Sequence, residues 1–572
     1  MNPKGIFFGI DGATWSVMGP MAERGELPNI RRMMEQGASG PMTSTLPPQT
    51  VPAWGTVVSG MNPGRLGIYH FLSDSHRDYD QGRPVGADDT GVKFLWQYLS
   101  ESGRRSIVVT TPLGFPPGSP DTLAVSPIRN PELYGEDVIS TSPPELKAEL
   151  EEALGLRMAD LVQQKMAVEQ GKATAGEAAS DAHLDRLVRF NTIGIDMVRR
   201  GTLHLMRNHP WDFLMVVFSS IDGVQHHFWA YMDPQHPAHD PRLARRYGGV
   251  IRDMYRQVDA ALGEVMDEAG EDVNLMIMSD HGFGPIHRYF YVNRWLEEQG
   301  LLSRNGVAPA YREWRKVPLG RGLARIGLGP LARVLGPAGR IPVPVPRPRQ
   351  RAMVDLVDWE RTRAYATSYA INVNLAGREP QGSVPAAEYD EVVARIKEAL
   401  LALTDPVSGE RIVEAVFEKS EIYEGDAVAA APDILYVFRE PWYYAKKQIG
   451  PRASFGDVRT EDGISAHHVN SVQGWKDGIF LARGPGIRSG LRTGQVDIKS
   501  LTPTMLYLLG EPVPEDMDGA ILEDIVDPAL LASRPPRRES RSVRRGETGP
   551  AEVSAEEEEK IKESLRKLGY LG

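Results

Sequence analysis

Short runs of apolar residues recur along the chain, and each has the length of a single strand. The runs lie at residues 5–10, 106–110, 213–218, 275–279, 434–438 and 478–482. Segments with the helical spacing of apolar residues separate most of them, and this alternation is typical of a buried parallel sheet flanked by helices. Ligands of such sheets bind beyond the carboxyl ends of the strands, so the residues that follow each run are the first candidates for chemistry.

Two segments between the strands differ from the rest of the chain. Residues 143–208 predict a mainly helical insertion, whereas residues 300–352 are rich in arginine and contain a single acid, Glu313. Prolines alternate through 341–346 and favour an extended polyproline stretch. We predict one catalytic domain over residues 1–532 that carries both insertions, the second as a basic lid. A disordered linker over 533–552 and a short helix over 553–572 follow, the helix starting with the capping-box pair Ser554 and Glu557.

Composition narrows the chemistry further. The chain has no cysteine, which excludes disulfides, thiolate metal sites and a cysteine nucleophile, so any metal must be held by histidines and carboxylates. A net charge of −11 argues against general nucleic-acid binding. The first apolar run is too short for a signal peptide, and no segment approaches the roughly 18 uncharged apolar residues of a membrane span. We therefore predict a cytoplasmic protein.

Aspartates and histidines cluster at the ends of the predicted strands. They are Asp11, Asp222 with His226, the adjacent pair Asp280 and His281, and the pair His467 and His468 before the last strand. Each pattern alone has a structural explanation, such as a turn or a surface pair. Together they converge on one crevice, and such oxygen and nitrogen ligands suit Zn²⁺ or Mn²⁺. Three carboxylates and three imidazoles are enough for two ions about 4 Å apart, which clamp both oxygens of a phosphoryl displacement.

Thr50 is the candidate nucleophile. It precedes an apparent helix that runs through Val58, at the position of an N-cap, and Pro52 lies in the first turn. A threonine at an N-cap is usually structural. The start of a helix also offers backbone N–H groups to a phosphate, and a hydroxyl coordinated there by a metal is activated for attack.

At these residues the chain resembles the type I phosphodiesterase/nucleotide pyrophosphatase family of the alkaline phosphatase superfamily. The similar segments are 8–12, 50–52 with 59–64 and 67–68, 222–226, and 279–282. The resemblance implies an α/β fold with an alkaline-phosphatase-like, mostly parallel central sheet flanked by helices, with helical and cap insertions. It also implies a two-metal phosphoester hydrolase that acts on a phosphate diester or pyrophosphate through a phosphothreonine.

The resemblance further implies two sets of metal ligands. Asp11, Thr50, Asp280 and His281 hold one ion, and Asp222, His226 and a C-terminal histidine hold the other; Zn²⁺ is expected, with Mn²⁺ as the alternative. The C-terminal ligand is expected to be His468, with His467 as the alternative, while His227 packs nearby. One departure concerns substrate: Phe71, beside His70, stands where nucleotide pyrophosphatases have the asparagine that steadies the phosphate oxygens. His70 and His287 are further candidate donors.

Three alternative functions share some of these sequence features. A cofactor-independent phosphomutase shares this metal site, and Thr50 does not distinguish the two reactions. A sulfatase is disfavoured because Thr50 and Trp54 stand where its motif has Cys or Ser and Arg. A lipid- or partner-binding module is a third interpretation, since residues 319–340 mix arginines with apolar residues as an interfacial helix does, although a lid over an anionic substrate explains them better.

Overall fold

The computed structural model describes residues 3–72, 79, 85–127, 139–158, 160, 180–305, 312–318, 340–346, 356–367, 370–439, 443–449, 453–459, 463–469 and 478–543, of which 312–318 and 340–346 are described as backbone only. The strands in chain order are β1 Lys4–Ile10, β2 Ala38–Thr43, β3 Ser106–Val109, β4 Thr122–Val125, β5 Thr141–Ser142, β6 Phe213–Phe218, β7 Val273–Met278, β8 Gly282–Pro285, β9 Arg288–Tyr291, β10 Arg312–Pro318, β11 Arg340–Pro346, β12 Ala364–Thr367, β13 Ala370–Val373, β14 Val413–Glu418, β15 Ile434–Phe438, β16 Tyr443–Lys446, β17 Phe455–Asp457, β18 Ala466–Val469, β19 Gly478–Arg483, β20 Leu491–Arg492, β21 Val496–Asp497, β22 Val513–Pro514 and β23 Arg538–Glu539.

The helices alternate with these strands. They are α1 Trp15–Glu23, α2 Pro28–Gln36, α3 Thr50–Ser59, α4 Pro63–Leu66, α5 Leu95–Glu101, α6 Leu146–Leu154, α7 Asp181–Asn208, α8 Ser220–Met232, α9 Pro241–Tyr247, α10 Val250–Ala269, α11 Val292–Glu298, α12 Tyr389–Leu401, α13 Lys419–Ile422, α14 Leu501–Leu509 and α15 Pro528–Ser533. Among the described residues no helix is both long enough and apolar enough to span a bilayer.

A large mixed sheet forms the centre of the molecule. Its strand order is β20-β2-β19-β7-β1-β6-β3-β4-β5, and β21 also pairs with β2. The strands β7, β1, β6, β3 and β4 are parallel to their neighbours in this series. The expected α/β fold with a mostly parallel central sheet flanked by helices is therefore confirmed.

Both faces of this sheet are buried, which explains why its strands have no polar alternation. On β1, Ile6 and Phe8 face a core that includes helices α7, α8 and α10. Phe7 points to the opposite face, into a core that includes helices α3, α5 and α14. Successive side chains of a strand point to opposite faces, so a strand covered on both sides is apolar throughout.

Two of the predicted parallel strands have a different orientation or position. β19 is antiparallel to both of its neighbours, β7 and β2. β15 lies outside the central sheet, in an antiparallel sheet of order β12-β13-β15-β14 with its own core. An apolar run records burial and not the direction of the partner strand, so the sequence pattern does not distinguish these cases.

The insertions are described in part. The helical insertion contributes α6 and the long helix α7, which pack on each other. In the basic insertion, β10 and β11 pair antiparallel, so the proline-alternating stretch is extended and paired with a strand. Residues 319–339, which carry most of the predicted lid and interfacial segment, and the predicted helix 553–572 lie outside the described residues.

The beginning of the predicted linker is part of the folded domain. β23 pairs with β22, and the Arg538 guanidinium donates to the carbonyl oxygens of Met517 and Gly519 at 3.1 and 3.0 Å. Arg541 reaches the Tyr98 carbonyl oxygen at 3.2 Å. Residues 534–543 are therefore held by contacts with the catalytic domain.

Candidate active site

One edge of the central sheet gathers the predicted site residues. Asp11 directly follows β1, and Asp222 and Asp280 follow β6 and β7. β19 runs antiparallel to β7. The residues that precede β19 therefore lie at the same edge of the sheet as the carboxyl ends of β1, β6 and β7. The short strand β18, which contains His467 and His468, pairs with β8 just beyond Asp280.

The first group of side chains comprises Asp222, His226 and His468. Asp222 Oδ1 lies 3.4 Å from His226 Nε2 and 3.1 Å from His468 Nε2. Asp222 and His226 are four residues apart in the first turns of α8, so they lie on the same helix face. One ligand atom from each of the three residues lies within 4.8 Å of the others, a spacing at which a metal ion could be held.

The second group adjoins the first and is centred on His281. The nearest atoms of Asp11, Asp222 and His281 lie within 4.8 Å of one another, so Asp222 faces both groups. His281 Nε2 is 3.6 Å from Asp11 Oδ1 and 3.2 Å from Asp280 Oδ2. Thr50 Oγ1 is 3.5 Å from the same nitrogen. The structure thus brings the predicted nucleophile next to the predicted ligands of the first ion.

Backbone carbonyl groups orient the three imidazoles. The Nδ1 contacts are His226 to the Ala466 oxygen at 2.9 Å, His281 to the Gly282 oxygen at 3.1 Å and His468 to the Pro48 oxygen at 2.9 Å. A carbonyl oxygen only accepts, so each Nδ1 carries a proton, and each Nε2 points toward the carboxylates. Such contacts fix ring orientation in metal sites.

His467 has a different environment from His468. Its Nδ1 accepts a hydrogen bond from the His468 backbone N–H at 2.8 Å, and its ring stacks on Tyr444 with centroids 4.4 Å apart. His467 belongs to neither of the two groups that could hold a metal ion among the described residues. The structure places His468, the expected C-terminal ligand, with Asp222 and His226, and not the alternative His467.

Burial and neighbouring charges change the pKa values of the three carboxyl groups of the site. Burial and the charges of Asp280 and Asp222 raise the pKa of Asp11 well above its usual range. Burial raises the pKa of Asp280 to about 8. Burial would also raise the pKa of Asp222, but the adjacent His226 and His468 rings outweigh it and hold that pKa well below its usual range.

Two buried carboxylate oxygens have no donor of their own. Neither Asp11 Oδ1 nor Asp280 Oδ2 accepts a hydrogen bond of normal geometry from any described residue. Burial and neighbouring imidazoles also hold the pKa of His281 well below its usual range, so its ring is neutral at physiological pH. Unsatisfied buried carboxylates beside neutral imidazoles are the donor set that a divalent cation needs.

Thr50 is the first residue of α3, and the N-cap is Gln49. The prediction of Thr50 as the N-cap is thus wrong by one residue, because the backbone is already helical at Thr50. Pro52 lies in the first turn, as expected. The Thr50 hydroxyl therefore extends from the positive end of the helix, where backbone N–H groups lack partners within the helix.

The other candidate donors lie elsewhere in the described residues. His70 packs edge-to-face against Phe71 with centroids 5.8 Å apart, and burial, followed by the charge of Lys447, lowers its pKa to about 3. The Nδ1 of His227 donates to the Gly463 carbonyl oxygen. His287 lines a cavity of about 400 Å³ with Arg288 and others. None of the three belongs to the two metal-ligand groups found among the described residues.

Contacts that the sequence did not reveal also support the site. The Ser44 hydroxyl donates to the Asp280 carbonyl oxygen at 2.5 Å, and the Gly12 N–H donates to Asp280 Oδ1 at 3.1 Å. Ser44 lies in the segment between β2 and Thr50 and so connects the nucleophile segment to a predicted ligand. Contacts to backbone carbonyl groups leave no residue pattern in a sequence.

Comparisons with known proteins identify the family of the chain. The profile of the family described as type I phosphodiesterase/nucleotide pyrophosphatase matches residues 6–469. A search of curated proteins finds no match. Among solved structures, phosphonoacetate hydrolase from Sinorhizobium meliloti 1021 in complex with phosphonoacetate is similar, with 16% identity, 89% of this chain and 95% of that chain covered, and a TM-score of 0.50.

A second similar structure is that of murine ectonucleotide pyrophosphatase/phosphodiesterase 5, an inactive variant in complex with AMP. It has 14% identity, covers 92% of this chain and 100% of that chain, and has a TM-score of 0.47. At these identities the likeness to solved structures concerns the fold, whereas the family profile spans most of the chain. The chain therefore belongs to the type I phosphodiesterase/nucleotide pyrophosphatase family and is a phosphodiesterase-type hydrolase.

Proposed function

We propose that the chain hydrolyses phosphate diesters or pyrophosphates with Thr50 as the nucleophile and two divalent cations, Zn²⁺ or Mn²⁺, as cofactors. One observation supports this most directly: Thr50 Oγ1 lies 3.5 Å from His281 Nε2, among carboxylates that converge from separate strands. A lone threonine at the start of a helix has no such neighbours.

The residues divide into two ligand sets. Asp222, His226 and His468 would hold one ion, and Asp11, Asp280, His281 and Thr50 would hold the other. Oxygen and nitrogen ligands without thiolate suit Zn²⁺ and Mn²⁺. Because Asp222 belongs to both groups of converging atoms, the two ions would be close neighbours.

The electrostatics of the site support bound cations. Burial, reinforced by the charge of Asp222, raises the pKa of Asp11 and of Asp280, and one buried oxygen of each carboxyl group lacks a donor. Bound cations would offset the repulsion between the buried carboxylates by neutralising their charge. They would also supply partners for the two oxygens that lack a donor. When bound, such ions stabilise charge on the attacking and leaving oxygens.

The chain's own residues then account for the reaction in two steps. The Thr50 hydroxyl releases its proton to solvent, and its Oγ1 forms a bond to phosphorus as the bond from phosphorus to the leaving oxygen breaks. The leaving oxygen takes up a proton from solvent. Water then attacks the phosphothreonine, breaks the bond between phosphorus and Oγ1, and restores the hydroxyl. The backbone N–H groups at the start of α3 face the phosphate oxygens throughout.

The substrate proposal is for the type of bond and for a small molecule. The family description names phosphodiester and nucleotide pyrophosphate substrates. Phe71 occupies the position at which the resemblance places the phosphate-steadying asparagine of nucleotide pyrophosphatases, so we do not extend the proposal to a nucleotide.

The test is hydrolysis of bis(p-nitrophenyl) phosphate by the full chain loaded with Zn²⁺ or Mn²⁺. Thr50→Ala is expected to lower kcat by several orders of magnitude, because the alanine side chain has no oxygen that could attack phosphorus. Thr56→Val is the matched control on the same helix: the Thr56 hydroxyl is buried and has no hydrogen-bond partner among the described residues. A Thr50→Ala protein with the turnover of wild type would contradict the proposal, as would a metal-loaded wild type without diesterase activity.

A further inference from the structure

Trp54 lies on the same face of α3 as Thr50. The two residues are four apart, and residues at this spacing lie one above the other on a helix. Thr50 is partly exposed at the helix start, whereas the Trp54 side chain is fully buried. α3 therefore directs a hydroxyl and, one turn deeper, an indole toward the end of β1.

A glycine makes room for the indole beside Asp11. A Cβ atom on Gly9 would lie only 2.4 Å from Trp54 Cη2, so the ring occupies the space in which another residue would have a side chain. Asp11 follows two residues later, directly after the last residue of β1, and its backbone N–H still donates to the Phe218 carbonyl oxygen of β6 at 3.0 Å. Residues two apart on a strand point to the same side, so the indole and the Asp11 carboxyl share that side of β1.

The hydrogen bonding of the Trp54 indole N–H is incomplete. Trp54 Nε1 is buried and makes no hydrogen bond of normal geometry with any described residue, and the same is true of Asp11 Oδ1. Burial and the charges of Asp280 and Asp222 raise the pKa of Asp11, and the Trp54 indole acts in the opposite direction. A buried donor left unpaired costs about 1–3 kcal/mol, so an unpaired donor and an unpaired acceptor on the same side of β1 point to a role for the pair.

We propose that Trp54 is a positioning residue whose indole N–H holds the Asp11 carboxylate in the orientation that binds a divalent cation. This inference rests on the proposed function, in which Asp11 is a ligand. Hydrogen bonds to metal ligands from outside the coordination shell fix ligand orientation, and their loss typically weakens metal binding by about 10- to 100-fold. An ionised Asp11 is a better acceptor for the indole than a protonated one.

The first test measures Zn²⁺ affinity by competition with a chelator. Trp54→Phe keeps a buried aromatic ring and removes the donor, and we expect the weaker of the two ions to bind about 10-fold less tightly. Trp96→Phe is the control, since Trp96 is equally buried but donates to the Pro117 carbonyl oxygen at 2.9 Å. Trp96→Phe is expected to bind Zn²⁺ as wild type does.

The second test uses the wild-type chain and does not depend on the variant folding. In protein labelled with ¹⁵N-tryptophan, the Trp54 indole proton should move downfield when Zn²⁺ is added, as its bond to Asp11 strengthens, while the Trp96 indole proton should not move. Equal affinity of Trp54→Phe and wild type, or an unmoved Trp54 resonance, would overturn this inference alone. A wild type that binds no Zn²⁺ would instead contradict the proposed function.

Discussion

His467 and His468 are adjacent, yet their side chains are held in different ways. The His468 ring is fixed by the Pro48 carbonyl oxygen and directs Nε2 to Asp222 at 3.1 Å. The His467 ring stacks on Tyr444, and its Nδ1 accepts the His468 N–H. Consecutive residues of a strand point to opposite sides, so only one of the two reaches the carboxylates.

This difference predicts that substitution of His468, but not of His467, lowers the metal content. His468→Ala should leave about one ion per chain, because Asp222 and His226 alone make a poor site. His467→Phe keeps the ring stacked on Tyr444 and loses one hydrogen bond, which costs about 1 kcal/mol of stability but leaves two ions bound. Elemental analysis of the dialysed proteins measures both. The reverse result would identify His467 as the ligand.

Gly9 is a second residue whose role is set by its neighbours. A methyl group there would lie 2.4 Å from Trp54 Cη2 and 2.9 Å from Val217 Cγ2, and neither buried side chain has room to move. Gly9→Ala should lower the free energy of unfolding by about 1–3 kcal/mol through overpacking. Gly91→Ala, where nothing lies within 4 Å of the added methyl, is the control. Equal stability of both variants in urea unfolding would argue against the close packing of Trp54 on β1.

At the scale of elements, the antiparallel sheet β12-β13-β15-β14 contains a buried ionic cluster. Arg378 donates to both oxygens of Asp433, at 2.7 and 2.5 Å, and to Glu379 at 2.9 Å. Lys419 and Tyr389 also reach Asp433, at 3.0 and 2.8 Å. Burial raises the pKa of Glu379 to about 7, and the Arg378 charge only partly opposes it.

This cluster makes the stability of the sheet depend on pH. Between its ordinary pKa of 4.5 and the raised value of about 7, Glu379 keeps a proton in the folded state that the unfolded chain has lost. Its contribution to stability is therefore present below pH 4.5 and is lost as the pH rises through 7. Glu379→Gln should show a smaller loss of unfolding free energy between pH 5 and pH 8 than wild type in urea titrations. An unchanged difference between the two pH values would contradict the raised pKa.

A nearby carboxylate provides the control for that experiment. Glu388 pairs with Arg363 at 2.6 Å, and its side chain is 43% exposed, so the bond is screened by solvent. Glu388→Gln is expected to keep the wild-type dependence on pH.

Elements differ in how well the sequence predicted them. β6 was predicted with its observed bounds, and β1, β3 and β7 to within two residues, because a strand buried on both faces is a clean apolar run. The orientation of β19 and the placement of β15 were wrong, since apolarity carries no information about partners. Asp11, Asp222, His226, Asp280 and His281 converge as expected because parallel strands end at one edge. The sequence did not predict which carbonyl groups orient the histidines, or that Gly9 makes room for Trp54, because both depend on tertiary contacts.

At the scale of the whole molecule, the site is the place where distant parts of the chain meet. It contains residues from α3, α8 and β18 and from the turns that follow β1 and β7. Helix α14 packs on the other side of α3. The sheet positions the carboxylates, and α3 positions Thr50, the proposed nucleophile. The antiparallel β19 returns the chain so that His468 lies beside Asp222 and His226. This convergence is what the proposed two-cation hydrolase requires.

The most direct test of the two-cation site is anomalous diffraction at the zinc edge from crystals of the Zn²⁺-loaded protein. The proposal predicts two peaks, one beside Asp222, His226 and His468 and the other beside Asp11, Asp280, His281 and Thr50. A single peak, or peaks remote from these residues, would contradict it.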